Sequence, residues 1–209
     1  IVGGTGLFVD SLVQNIEFAD ISADESLRAE LNDKSTDELY AMLEKDDPTA
    51  AANIHKNNRK RVIRALELAI GGTTKTEQND NSRLADNPYD ALYIGIGYKN
   101  RRTLYDRINR RVDIMIENGL LDEAKKMLSR TATTAKQAIG HKELAAYLSG
   151  EISLDDATEN IKRATRRYAK RQLTWFRRNE KINWLYADEM TGDELVKTAT
   201  AVTKEFLNK

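Results

Sequence analysis

The chain has 209 residues, 40% of them hydrophobic, and its 33 basic residues balance its 33 acidic residues at neutral pH. This length and apolar content are enough for one sizeable domain, or for a core with a smaller insertion. Cysteine is absent, which excludes disulfides, a zinc knuckle and a thiol nucleophile. No apolar run approaches the roughly 18 residues of a membrane-spanning helix. We therefore expect a cytoplasmic protein without a membrane partner.

The balanced net charge hides a segregation of charge along the chain. Acidic residues dominate positions 17–47, and three later runs are rich in Lys and Arg. These runs are Lys56, Arg59, Lys60, Arg61 and Arg64; Lys99, Arg101, Arg102, Arg107, Arg110 and Arg111; and Lys162, Arg163, Arg166, Arg167, Lys170, Arg171, Arg177 and Arg178. A solvated helix face would explain any single run. Like charges at helical spacing repel, so three such runs together favour a polyanionic partner.

The first element in chain order is a predicted strand, turn and helix. Apolar residues 1–2 lead into Gly3-Gly4-Thr5-Gly6, a pattern typical of a buried strand that meets a turn, and a helix is expected from Leu7 to about Ile16. Natural chains rarely begin inside a core strand, so we expect further residues upstream. Ligands of open α/β sheets bind at the carboxyl ends of strands, where this turn would expose backbone N–H groups and the Thr5 hydroxyl.

Residues 20–70 are predicted to be helical and polar, with Pro48 opening a new helix. The segment 54–70 has Val62, Ile63, Leu66 and Ile70 at helical spacing and ends at two glycines. Residues 71–88 are rich in Thr, Asn and Asp, which predicts a loop or linker.

The second half alternates strands with helices. Residues 91–97 are predicted to form a buried strand, and Leu104, Ile108, Val112 and Met115 mark an amphipathic helix after it. A helix is expected at about 121–129, a short loop at 130–134, and a helix over 135–149 that Gly140 interrupts.

Ser153 is the predicted N-cap of the next helix, which has one apolar face and one cationic face. A strand at 182–186 and a helix at about 191–207 complete the chain. Alternating strands and helices indicate an α/β fold.

Several segments match one known family in order. They are Gly3-Gly4-Thr5-Gly6-Leu7-Phe8; Asp47-Pro48-x-Ala50-Ala51; Ile54-His55-x-Asn57; Lys60-Arg61-Val62-Ile63-Arg64-Ala65-Leu66-Glu67; Leu104-Tyr105-x-Arg107-Ile108-x-x-Arg111-Val112-Asp113-x-Met115; Gln137-Ala138-Ile139-Gly140-His141-Lys142-Glu143; and Thr165-Arg166-Arg167-Tyr168-Ala169-Lys170-Arg171-Gln172-Leu173-Thr174-Trp175-Phe176-Arg177. Across nearly the whole chain, these segments resemble the bacterial tRNA dimethylallyltransferases. Phe8 and His141 depart from the pattern, since both positions are usually Tyr.

The resemblance implies a fold and an activity. The fold would be a P-loop-NTPase-like α/β core with a parallel sheet, formed by residues 1–19 and 88–209 and incomplete here, with an α-helical insertion domain at 20–87 that contacts tRNA. The activity would be Mg²⁺-assisted transfer of a dimethylallyl group from dimethylallyl diphosphate to N6 of the adenosine 3′ of the tRNA anticodon. In the family, the phosphate loop and a general-base Asp precede the first matching segment. This sequence contains no G-x-x-x-x-G-K-[ST] motif.

The resemblance also implies site residues. Thr5 would hold the adenine N6, and Arg111, with Arg107 beside it, would bind the diphosphate. The implied tRNA contacts are Arg28, Lys60, Arg61, Val62, Ile63, Arg64, Gln137, Ala138, Ile139, Gly140, His141, Lys142, Arg163, Arg166, Arg167 and Lys170. No metal ligand is implied in this sequence, because most of the Mg²⁺ ligands would lie upstream. The target base must leave its stack, so a base-flipping pocket is expected.

Two other function classes stay open on the sequence. A P-loop nucleotide or small-molecule kinase would also combine an α/β core with an arginine-rich lid helix, and a non-catalytic RNA-binding module would need only the basic faces. We expect a monomer that binds the tRNA anticodon stem-loop. We expect these 209 residues alone to bind tRNA weakly and to be catalytically inactive.

Overall fold

The computed structural model describes residues 1–16, 18, 21, 24–84, 89–129 and 137–208. The chain divides into two compact units, Ile1–Ala91 and Leu92–Lys209. The described part of the first unit is helical, whereas the second combines helices with a small parallel sheet. Within these ranges no helix is both long and apolar enough to cross a bilayer. The predicted division into 1–19 with 88–209 and an insertion at 20–87 stays a prediction.

The first unit contains six described helices. They are α1 (Gly6–Val13), α2 (Glu25–Asp33), α3 (Thr36–Asp46), α4 (Pro48–Asn53), α5 (Arg59–Ile70) and α6 (Lys75–Leu84). Local sequence explains several of their ends: Ser35 and Glu38 form a capping box at α3, and Asp47 caps α4, whose first residue is Pro48. The predicted helix start at Pro48 is confirmed.

The core of the first unit lies between α2, α3, α4 and α5. Leu31, Leu39, Leu43, Val62 and Leu66 are at most 1% exposed. Full burial of such side chains stabilises the unit by about 1.5–3 kcal/mol each. The helical spacing of Val62 and Leu66 predicted the buried face of α5, although that helix begins at Arg59 and not at Ile54.

The predicted loop or linker at 71–88 is wrong for residues 75–84, which form α6. Thr74 and Glu77 explain this helix. The Thr74 backbone N–H donates to Glu77 Oε2 at 2.7 Å, and the Glu77 N–H donates to Thr74 Oγ1 at 3.1 Å. This reciprocal pair is a capping box, and it outweighs the low helix propensity of the Asn and Asp residues that follow.

The second unit contains two strands and five described helices. They are β1 (Tyr93–Gly97), α7 (Arg101–Glu117), α8 (Leu120–Leu128), α9 (His141–Leu148), α10 (Leu154–Phe176), β2 (Ile182–Tyr186) and α11 (Gly192–Leu207). β1 and β2 pair in parallel, with Tyr93 opposite Ile182 and Gly97 opposite Tyr186. The predicted mixed fold with a parallel sheet is therefore present, as a two-stranded sheet in the described residues.

The core of the second unit lies between α7, α8, α9 and α10. Val112, Ala124, Leu144, Ala157 and Ile161 are at most 2% exposed. The apolar spacing of α7 is confirmed, with Ile108 and Val112 buried. The Ser153 cap is confirmed as well, because its side chain accepts a hydrogen bond from the Asp156 N–H. The core therefore joins α10 to the three helices that precede it.

The predicted burial of two strands is wrong. Ile94 and Ile96 in β1 are 36% and 67% exposed, because one face of the sheet is open in the described residues. Ile1 and Val2 are 85% and 104% exposed and do not form a strand. A parallel strand exists only through hydrogen bonds to a neighbour, and the described sheet consists of β1 and β2.

The interrupted helix predicted over 135–149 is also corrected. Residues 137–140 form a turn, and α9 begins at His141. Gly140 has a φ of 104°, a left-handed conformation that ends the turn before the helix starts. The loop predicted at 130–134 lies outside the described residues.

Candidate functional site

Thr5 lies at the N-terminus of α1. Its carbonyl oxygen accepts hydrogen bonds from the backbone N–H groups of Phe8 at 3.0 Å and Val9 at 3.3 Å. Its side chain makes no capping hydrogen bond and is exposed. The hydroxyl is therefore accessible beside the first N–H groups of a helix, an environment that suits a polar or anionic ligand. The predicted role of Thr5 on an adenine N6 stays a prediction.

Arg107 and Arg111 lie one turn apart on α7, and both are exposed. Side chains at this spacing occupy the same helix face, where two positive charges repel by a few tenths of a kcal/mol. Among the described residues, neither guanidinium has a carboxylate within ion-pair distance. The pair is suited to an anion with several oxygens, and its predicted contact with diphosphate stays a prediction.

The first unit has a cluster of charges built on Glu67, which is 3% exposed. Arg28 donates from Nε to Glu67 Oε1 at 2.6 Å and from Nη2 to Oε2 at 2.9 Å. Arg64 donates from Nη1 to Oε2 at 3.0 Å and from Nη2 to the Ile21 carbonyl oxygen at 3.3 Å. The hydrogen bonds from Arg28 outweigh burial and lower the pKa of Glu67. Two predicted RNA-contact residues from different helices are therefore held by one carboxylate.

The rest of the basic segment on α5 divides between surface and core. Lys60 and Arg61 are exposed, as an RNA contact requires. Val62 and Ile63 are 1% and 6% exposed and belong to the core. These two side chains pack in the core, and the RNA contact predicted for this segment stays a prediction.

The second unit has a groove of about 450 Å³ between α9 and α10. Four cationic side chains line it: Lys142 from α9, and Arg163, Arg167 and Arg171 from successive turns of α10. Glu143 is the one acidic residue of the lining, and its carboxylate accepts from the Gly140 N–H at 2.9 Å. The groove therefore has three more positive charges than negative ones, which favours an anionic ligand.

This groove joins two segments that are separate in the sequence. Ile139 and Lys142 come from the predicted RNA-contact run 137–142, whereas Arg163 and Arg167 come from the basic run on α10. Gln137, Ala138 and Lys170 are exposed. Arg171 lines the groove as well; it belongs to the basic run that favoured a polyanionic partner, although it was not named among the individual tRNA contacts. The spacing of four residues between Arg163, Arg167 and Arg171 is the signal that identifies it.

Three other residues of these runs are buried or have structural contacts. Gly140 is buried, and His141 is 7% exposed, with Nε2 lying 3.1 Å from Glu123 Oε1. Arg166 is half-buried; it donates to Asn109 Oδ1 on α7 and lies over the Tyr105 ring at 5.9 Å. Gly140 and His141 therefore lie in the interior of the unit, whereas Arg166 contacts α7 and stays partly exposed.

The expected Mg²⁺ has no ligand set in the described residues. Within the ranges 1–16, 24–84, 89–129 and 137–208, no group of three or more His, Asp or Glu side chains is arranged to hold a metal ion. Hard divalent cations bind oxygen ligands, and Asp47 and Glu67, the two buried carboxylates, already accept hydrogen bonds.

Comparison with known proteins identifies a family, close relatives and similar solved structures. The family model described as IPP transferase matches residues 1–179. The tRNA dimethylallyltransferase of Halalkalibacterium halodurans is 45% identical over 203 residues, which cover 94% of this chain and 64% of that protein. The tRNA dimethylallyltransferase of Acetivibrio thermocellus is 45% identical, with 94% of this chain and 65% of that protein covered. This chain thus spans just under two thirds of these relatives.

Two solved structures are similar over 99% of the chain. A crystal structure of tRNA isopentenylpyrophosphate transferase from Bacillus halodurans is 41% identical, with a TM-score of 0.62 and 66% of its own chain covered. A structure of a eukaryotic dimethylallyltransferase acting on tRNA is 25% identical, with a TM-score of 0.73 and 56% of its chain covered. The matching segments, the family model and these relatives agree: the chain belongs to the IPP transferase family.

Proposed function

We propose that the protein transfers a dimethylallyl group from dimethylallyl diphosphate to N6 of the adenosine 3′ of the tRNA anticodon. The observation that carries this proposal is the groove between α9 and α10, where two predicted RNA-contact segments meet with a surplus of positive charge. The names of the relatives, tRNA dimethylallyltransferase, support the same reaction. We place the protein in the cytoplasm, as a monomer that binds the anticodon stem-loop, with a P-loop-type core.

In the proposed reaction, the adenine N6 attacks the allylic carbon, and a new N–C bond forms as the C–O bond to diphosphate breaks. The diphosphate leaves with the bonding electron pair, and N6 loses a proton. Thr5 positions N6 through its hydroxyl, which shortens the approach of the two reactants. Arg107 and Arg111 stabilise the negative charge that builds on the leaving group. When bound, Mg²⁺ would neutralise further charge on the diphosphate.

The groove supplies tRNA binding in this mechanism. Lys142, Arg163, Arg167 and Arg171 contact backbone phosphates, where a guanidinium offers a planar fork of donors. Unpaired bases of the anticodon loop are accessible, so the target adenosine can leave its stack and reach the allylic carbon. Phosphate contacts hold the loop while the base is displaced, because the cost of unstacking must be offset elsewhere in the complex.

Steady-state kinetics of the whole gene product, with tRNA and dimethylallyl diphosphate, tests the catalytic residues. We expect Thr5→Ala and Arg111→Ala each to lower kcat/KM by at least about tenfold. Thr5→Ser keeps a hydroxyl and should recover most of the loss.

Arg102→Ala is the matched control for Arg111→Ala, because Arg102 lies on the same helix with its side chain 91% exposed. Its kcat/KM should stay near that of the wild type. Unchanged kcat/KM in both Thr5→Ala and Arg111→Ala would overturn the assignment of these residues.

A further inference from the structure

Glu67 occupies an unusual position for an acidic side chain in a protein that binds RNA. It is buried in α5, and both of its carboxylate oxygens accept hydrogen bonds from arginines. Arg28 comes from α2 and Arg64 from α5, so one carboxylate fixes the orientation of two guanidinium groups on neighbouring helices. The side chains of Arg28 and Arg64 are nevertheless 45% and 41% exposed. Each arginine side chain is thus anchored by Glu67 and still partly exposed to solvent.

The two arginines that contact Glu67 carry more positive charge than its carboxylate neutralises. Lys75 is half-buried, and burial together with the charge of Arg64 lowers the pKa of Lys75. The hydrogen bonds and charge of Glu67 raise the pKa of Arg28, and the nearby Glu25 carboxylate adds to this effect. By direct contact, two guanidinium groups share the single carboxylate of Glu67, which leaves one positive charge in surplus within this cluster. Like charges held together destabilise a fold slightly, and an anionic ligand would remove that cost.

Arg28 and Arg64 each have N–H donors that the contacts described above do not use. A guanidinium has five N–H donors. Arg28 uses two of them on Glu67, and Arg64 uses one on Glu67 and one on the Ile21 carbonyl oxygen. Among the described residues, the remaining donors of each arginine have no other hydrogen-bond partner, so they can bind a ligand at the partly exposed surface. A fork that is already fixed loses less conformational freedom when it binds a phosphate.

We propose that Glu67 is a positioning residue for RNA binding, which fixes the guanidinium groups of Arg28 and Arg64 so that they bind a backbone phosphate of the tRNA. This proposal rests on the proposed function and adds a role for a buried acid that touches no RNA itself. It also assigns Arg28 and Arg64 to one shared phosphate contact on the first unit.

The direction in which Glu67→Gln changes the affinity for RNA distinguishes a positioning role of Glu67 from a purely electrostatic one. Glu67→Gln removes a negative charge beside two arginines, so charge alone predicts equal or tighter binding of RNA. Positioning predicts the opposite, because an amide has one acceptor oxygen in place of two and cannot hold both guanidinium groups. We expect the Kd for an anticodon stem-loop RNA to rise by about tenfold and the slope of log Kd against log salt to fall by about one.

Fluorescence anisotropy with the whole gene product measures both quantities, at a temperature below the melting transition of every variant. Glu25→Gln is the matched control: it removes an exposed carboxylate near Arg28 that makes no hydrogen bond to it, and it should bind RNA as tightly as the wild type or more tightly. Unchanged or tighter binding by Glu67→Gln, with wild-type stability, would overturn the proposal.

Arg28→Lys decides the question if Glu67→Gln does not fold. Lys keeps the positive charge at a half-exposed site and loses the planar fork, so positioning predicts a Kd about tenfold higher, whereas a purely electrostatic role predicts no change. Wild-type affinity in Arg28→Lys would also overturn the proposal. A wild-type protein that neither binds nor prenylates tRNA would instead reject the proposed function, so the two failures are distinct.

Discussion

Asp47 shows how a single buried carboxylate joins three helices. It follows α3, caps α4 through the Ala50 N–H at 3.0 Å, and accepts from the Thr76 N–H at 2.9 Å in the first turn of α6. The Thr76 hydroxyl donates to it as well. The side chain is 3% exposed, and burial alone would raise its pKa. The hydrogen bonds from Thr76 and Ala50 outweigh burial, and the net effect lowers the pKa of Asp47.

Asp47→Asn should therefore destabilise the protein in a manner that depends on pH. A carboxylate whose pKa is lowered by folding stabilises the fold above its unfolded pKa, and that contribution is lost as the pH falls through the folded pKa. We expect urea unfolding, followed by circular dichroism, to give a loss of about 2 kcal/mol at pH 7 that shrinks below about pH 4.

Asp46→Asn is the control for this measurement, because Asp46 is the exposed neighbour of Asp47. Its effect should be small at either pH. An equal destabilisation by Asp47→Asn at pH 7 and at pH 3 would show that its charged form is not what holds the helices.

Val62 and Ile63 show a limit of predicting RNA contacts from a matching sequence segment. Their apolar spacing with Leu66 predicted a core face, and the structure buries both of them. The resemblance assigned the whole run 60–64 to RNA because it describes a segment, not the direction of each side chain. On a helix, neighbours along the chain point to different faces, so Lys60 and Arg61 reach solvent and the next two residues do not.

At the scale of the element, Gly140 determines where α9 begins. Its φ of 104° and ψ of −58° lie in a region that residues with a Cβ rarely adopt. A Cβ at this position would also lie 3.4 Å from Leu120 Cδ2. The start of α9 in turn sets the position of Lys142 at the groove.

Gly140→Ala should lower stability by about 1–2 kcal/mol, because the backbone must either hold a strained conformation or shift. Thermal unfolding would measure this loss. Gly192→Ala provides the comparison, since Gly192 has open space around it and no positive φ. Similar melting temperatures for the two variants would contradict the conformational explanation.

The helix α6 was missed although its signal is present in the sequence. Thr74 and Glu77 are spaced as a capping box requires, but the Asn and Asp content of the segment favoured a loop. The groove between α9 and α10 could be predicted only in part. Periodicity placed Arg163, Arg167 and Arg171 on one face, while the approach of Lys142 to that face depends on helix packing, which local sequence does not specify.

At the scale of the whole molecule, a net charge of zero coexists with strongly basic surfaces. The Glu67 cluster and the groove each have a local surplus of positive charge, although each contains one glutamate. Local potential, more than net charge, governs the attraction of a polyanion. The parallel pairing of β1 with β2 could be predicted from alternating strands and helices, whereas the exposure of Ile96 could not, because it depends on what covers each sheet face.

The salt dependence of tRNA binding should report this local charge. Replacing Arg163, Arg167 and Arg171 together with Gln should weaken binding at least about tenfold and lower the slope of log Kd against log salt by about two to three, one for each phosphate that the variant no longer binds. Filter binding across a range of salt concentrations would measure both.

A second triple variant keeps the change in net charge the same. Lys126, Lys197 and Lys204 are exposed and lie outside the groove lining, so their replacement with Gln should leave the slope nearly unchanged. Equal reductions of the slope in the two triple variants would mean that overall charge, and not the groove, determines affinity.

Mapping the product on tRNA tests the central claim most directly. The whole gene product would be incubated with dimethylallyl diphosphate and unmodified tRNA, and the digested RNA analysed by mass spectrometry. We predict one dimethylallyl group on N6 of the adenosine 3′ of the anticodon, with one diphosphate released for each group transferred. Absence of a prenylated nucleoside, or transfer of a γ-phosphoryl group from ATP in its place, would contradict the proposed function.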